Sequence, residues 1–165
     1  MSRRTLPTVP LWASLPAALA TCVALAAPLA AQTTVDATDP DAVLAIAKGY
    51  GTAELELDAQ GDPMVSGRMD GTLYTVLFYG CTENRNCTDI QFSASFTPSR
   101  IHSLTEINGW NRDRRFSKIF INDEGTIFIQ HDVNTRHGVT TLNLDDSFDW
   151  FKLSLSSFRK DFLDK

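Results

Sequence analysis

From residue 39 onward the apolar positions change period several times, and each change marks an element. Asp39 can cap a helix, Pro40 suits its first position, and Val43, Ile46, Ala47 and Tyr50 recur at helical spacing until Gly49 and Gly51 end it. TAELELDAQ then alternates, with Ala53, Leu55 and Leu57 on one face and Glu54, Glu56 and Asp58 on the other, which predicts a half-buried antiparallel strand. Gly61-Asp62-Pro63 turns the chain into MVSGRM. Asp70-Gly71 is a hairpin signal into TLYTVLFYG, whose apolar residues on both faces predict a central strand. DIQFSASF alternates again through Ile90, Phe92, Ala94 and Phe96. Four successive strands with short turns make a meander with one wet face.

The period then lengthens. Thr97 and Pro98 are read as opening a helix that carries Ile101, Leu104 and Ile107 and ends within a turn of Trp110, where Gly109 weakens it. RFSKIFIND and TIFIQHDV follow as two strands joined by NDEG. The last element is the clearest: Leu144, Phe148, Phe151, Leu155, Phe158 and Phe162 fall at alternating steps of four and three, one apolar stripe along a helix. Asp145, Asp146 and Asp149 sit near its start and Arg159 and Lys160 near its end, as the helix dipole favours. The order α-ββββ-α-ββ-α predicts an α+β fold, an antiparallel sheet with helices packed on one side. No internal repeat, low-complexity tract or linker divides it.

The segment before residue 39 changes the picture of compartment. Arg3 and Arg4 precede the acid-free stretch LWASLPAALATCVALAAPLAAQ, the arrangement of a secretory signal peptide over residues 1–31, with cleavage expected after Ala31. A membrane anchor of roughly 20 apolar residues is the competing reading, and Pro16 and Pro28 interrupt it. Lipidation at Cys22 is a minor alternative, with Thr21 a poor residue before the cysteine. Residues 32–40 read as a flexible leader and 41–165 as a single domain. Removing the first 31 of 165 residues leaves 134, with 13 basic and 20 acidic side chains, a formal charge of −7. Such a balance argues against general binding to nucleic acid or anionic membrane, and no membrane span remains after cleavage.

Two cysteines remain in that chain, Cys81 and Cys87, in the polar loop GCTENRNC between two strands. Structural zinc needs four ligands, and a redox dithiol normally has two intervening residues where this pair has five. In an oxidising compartment the expectation is a disulfide stapling the hairpin tip.

Catalytic candidates are few. The histidines are His102, His131 and His137. The segment HDVNTRH matches neither a helical ligand pair nor the usual zinc spacings, and the simpler reading has His131 ending a strand and His137 in the next loop, both solvated. No serine sits in a nucleophile elbow, and no phosphate-binding or dinucleotide glycine loop occurs. Catalytic residues, cofactor and metal are therefore all assigned as none. RDRR at 112–115 reads as a solvated corner. The segment INGWNRDRRF is the one candidate binding patch: Asn108, Trp110, Asn111, Arg115 and Phe116. The two amides also have a structural reading, as partners of backbone groups near a helix end.

GYGTAELELDAQGDPMVSGRMDGTLYTVLFYGCTENRNCTDIQF, then INGWNRDRRFSKIFINDEG, then the aromatic terminal helix, resembles the YbjN-like family of bacterial domains over about residues 41–162. The Asp-Gly hairpin, the cysteine loop and Asn-x-x-Asn followed by Arg115-Phe116 carry the likeness. The resemblance implies a fold like that of type III secretion chaperones, often dimeric, and a part in sensory transduction, with no catalytic residues to carry over. A signal peptide departs from cytoplasmic members. The functional expectation is a periplasmic or secreted, non-catalytic protein, chaperone-like or regulatory, that binds another polypeptide and can form a homodimer. The alternative is a small-molecule or envelope-component binding module, and an enzyme comes third. An exposed apolar groove would mark the first, and a closed pocket around Trp110 and Phe116 the second.

Overall fold

The computed structural model describes residues 33–163; the expected signal peptide, its cleavage point and Cys22 lie outside them. Helix α1 (Pro40–Ala47) starts where the Asp39 carboxylate accepts a hydrogen bond from the Ala42 N–H at 3.0 Å. One tighter turn leads into β2 (Gly51–Leu57), followed by β3 (Pro63–Met69), β4 (Thr72–Tyr79) and β5 (Asp89–Phe96). Helix α2 (Leu104–Asp113), β6 (Lys118–Ile121), β7 (Ile127–Asn134) and α3 (Thr141–Phe158) complete the main frame. The sheet is antiparallel throughout, in the order β2-β3-β4-β5-β7-β6. Asp70 and Gly71 have φ of +47° and +78°, as a two-residue hairpin turn of the mirror-image type requires.

The α+β expectation holds, and the pleat shows why. Val65, Val76, Phe92 and His131 stand side by side on one face, and Ser66, Thr75, Ser93 and Gln130 on the other. The stripe of α3 lies over the first face. Leu144, Phe148, Phe151, Leu155, Phe158 and Phe162 are all buried, and the Phe92 ring meets Phe148 edge-on at 4.6 Å and Phe151 at 5.2 Å. Burial contributes roughly 1.5–3 kcal/mol per large apolar side chain, so this seam dominates the core. The disulfide forms between Cys81 and Cys87. Asn84 at its tip donates to Gln60 O and Asp62 Oδ1 and so joins the β4–β5 loop to the β2–β3 loop.

Several expectations are corrected. The leader is not free: Thr34–Val35 forms β1, paired with β8 (Val139–Thr140), and Val35 and Ala37 are buried. The buried Thr135 hydroxyl accepts from Ala37 N–H and donates to Thr88 O, so residues far apart in sequence hold this segment down. Helix α2 starts at Leu104, not at Thr97-Pro98. Ser103 and Glu106 form a reciprocal capping box that sets the start, and Ile101 is left almost wholly exposed. In β2 the strand is present, yet of its apolar face only Ala53 is buried, with Leu57 68 % exposed. The strand is at the sheet's edge, and no helix reaches over its second half.

Candidate functional site

The connection from α2 to β6 is held shut at its base by one side chain. Asn111 Nδ2 donates to Ile119 O at 3.0 Å, and the Ile119 N–H donates to Asn111 Oδ1 at 2.8 Å. A side-chain amide carries a donor and an acceptor side by side, and so closes both halves of such a backbone pair. Between these anchors, in the turn from α2 to β6, Phe116 has φ of +63°. A left-handed backbone on an aromatic residue costs of order 1 kcal/mol, so the surroundings must impose it.

What Phe116 reaches is Trp150 on α3. The rings stack at 4.6 Å, and both side chains stay substantially exposed, Phe116 at 47 % and Trp150 at 38 %. Leu153, one helical turn along from Trp150, is exposed beside them. The Arg115 guanidinium lies 6.0 Å from the Phe116 ring. Arg114 lies 4.8 Å over the buried Trp110 ring and pairs with Asp161 at 3.3 Å. Trp110, Arg114, Arg115, Phe116, Trp150 and Leu153 thus line an open hollow of about 180 Å³. On the far side of Phe116 a second hollow, about 280 Å³, is bounded by Ser117, Lys118, His131 and Asp132. Lys118 meets Asp132 there at 2.9 Å. Trp110 Nε1, Ser117 Oγ and His131 Nδ1 are enclosed without a hydrogen-bond partner among the described residues. Burial holds the His131 pKa below the ordinary value, with the Asp132 carboxylate acting against it.

A family model described as "Putative bacterial sensory transduction regulator", YbjN, matches residues 39–164. The chain belongs to the YbjN family. The match spans every residue of the hollow and starts just after β1. A search of curated proteins gives no match for this YbjN chain.

Of the five patch residues expected from sequence, Trp110, Arg115 and Phe116 come together. Asn108 is exposed on α2 away from the hollow, and Asn111 serves the backbone clamp. Trp150, Leu153 and Arg114 were missed. The first two had a signal: on a helix with a clean apolar stripe, each is an apolar residue off it. His131 does not end a strand; it lies within β7, half-buried, while His137 is exposed in the turn before β8. Among the described residues no three His, Cys, Asp or Glu side chains are grouped to hold a metal ion. No helix of the described residues is long and apolar enough to cross a membrane.

Proposed function

We propose that this chain is a non-catalytic, periplasmic or secreted binding protein of chaperone-like or regulatory character that engages another polypeptide through the Phe116–Trp150 patch. The observation that carries the reading is Phe116 itself. A strained aromatic residue, stacked on a second exposed aromatic ring and flanked by an exposed leucine, is costly to maintain on a surface that binds nothing. Exposed aromatic anchors with arginines at the rim are the usual composition of a protein contact's energetic centre. Arg114 and Arg115 give the partner its chemistry: a segment with an apolar or aromatic side chain for the hollow and carboxylates for the guanidiniums. The family's description as a regulator agrees with a binding role.

A small-molecule or envelope-component module is the second reading, favoured by the unpartnered polar atoms of Trp110, Ser117 and His131 beside the hollow. One experiment separates the two. Native mass spectrometry on protein gently isolated from its own envelope names what travels with it. Affinity is then measured by fluorescence of Trp110 and Trp150, the two tryptophans beyond residue 31. A polypeptide bound by the wild type, and at least tenfold more weakly by Phe116→Ala and Trp150→Ala, supports the proposal. Folded variants that bind that polypeptide as well as wild type overturn it, and a bound small molecule moves the assignment to the second reading.

A further inference from the structure

Arg68 and Arg159 approach one turn from different layers of the molecule. Arg68 leaves β3 on the open face of the sheet, and Arg159 follows the last residue of α3. Arg68 Nη1 donates to Gly71 O at 2.9 Å, and Arg159 Nη1 donates to Thr72 Oγ1 at 2.8 Å. Both acceptors are neutral and belong to consecutive residues at the β3–β4 turn, and both arginines border the same hollow. Among the described residues no ion pair forms at either guanidinium or at Lys160, and Lys152 reaches Asp70 only at 3.6 Å. In a chain where acids outnumber bases by 20 to 15, leaving two arginines on one hollow without an ion pair runs against the available charge.

These side chains line two hollows, of about 190 and 480 Å³, that share Thr72 and Arg159, and the larger is an open groove bordered by both arginines. Lys152, Arg159 and Lys160 share the smaller hollow with one carboxylate, Asp70, whereas no carboxylate lines the groove that Arg68 and Arg159 border. Thr72, Ser95 and Ser99 add hydroxyl donors, and Leu73 and Phe96 add apolar surface. One arginine fork satisfies a carboxylate. Two forks arriving from different directions, with hydroxyls between, suit the several oxygens of a tetrahedral dianion.

We infer that this groove binds a phosphate-bearing ligand, the phosphate bridging Arg68 and Arg159 and an organic portion lying along Leu73 and Phe96. The site is separate from the Phe116 patch and does not depend on it. The phosphate belongs either to a free ester or to a lipid headgroup, and the test distinguishes them. The chain from residue 32, with its disulfide intact, is titrated by amide NMR with inorganic phosphate, glycerol 3-phosphate and acetate, and by co-sedimentation with phosphatidylglycerol or phosphatidylcholine vesicles. Saturable shifts centred on Gly71, Thr72 and Ser99 with the phosphates and not with acetate are expected for a free ester. Binding to phosphatidylglycerol vesicles alone assigns the lipid source. In either case Arg68→Ala and Arg159→Ala weaken binding at least tenfold, Arg159→Lys keeps part of it, and Arg85→Ala on the cystine loop changes nothing. The inference is overturned if no probe binds saturably, if acetate matches phosphate, or if the two alanine variants keep a native amide spectrum and bind as wild type does.

Discussion

At the level of single side chains, His102 stands out because both ring nitrogens are enclosed without partners while the ring stacks on Phe162 at 4.5 Å. Burial lowers its pKa from the ordinary value, Arg100 lowers it further, and Glu106 opposes them. The folded chain therefore takes up a proton less readily than the unfolded one does. The stability held by the neutral ring is complete above the unfolded value, about 6.5, and is lost as pH falls below it toward the lower folded value. His131, also lowered by burial, adds in the same direction. Urea midpoints are expected to drop between pH 7.5 and 5.5, and His102→Phe to flatten that dependence; an equal drop in the variant would count against this account. Asn111 is the other informative side chain. Asn111→Ala leaves Ile119 N–H and C=O unpartnered and should destabilise the domain by about 1–3 kcal/mol, read as a shift of the denaturation midpoint.

Among the elements, the cystine hairpin and α2 show two kinds of local control. The disulfide closes a short loop, so Cys81→Ser with Cys87→Ser should cost about 2 kcal/mol by chain entropy and leave the sheet intact. Thermal unfolding with and without reductant checks this, and identical transitions would show that the staple contributes nothing. Helix α2 was misplaced at its start although its cue stood in the sequence: Ser103 and Glu106 have capping-box spacing, while Thr97-Pro98 only marks the end of β5. For α3 the stripe was legible end to end, because a helix that covers a sheet face must repeat its apolar residues every three to four positions.

For the molecule as a whole, chain closure is the feature no local pattern announced. β1 and β8 are two residues each, and they pair because Thr34 and Thr140 are brought together from opposite ends of the domain. Removing residues before Thr38 takes away buried Val35 and Ala37 and should lower stability by roughly 2–3 kcal/mol on apolar burial alone. Differential scanning calorimetry of chains beginning at Thr33 and at Thr38 tests this, and equal melting temperatures would show the clamp to be dispensable. Charge is also arranged at this scale. A net-acidic chain collects four basic side chains around the β3–β4 turn, an asymmetry that the total charge of −5 conceals.

By itself, the sequence determined the six strands of the main sheet, the terminal helix, the hairpin turn, the staple and the family, because each rests on periodicity or short-range chemistry. Which faces are covered was decided only in three dimensions. Alternation in β2 shows that Leu55 and Leu57 share a side with Ala53, yet whether a helix lies over them depends on where α1 ends relative to the sheet edge. The same holds for both candidate sites. Trp150 joins Phe116 across 34 residues and Arg159 reaches Thr72 across 87, contacts set by the seating of α3 on the sheet. Packing brings such pairs together, and no pattern within either segment records it.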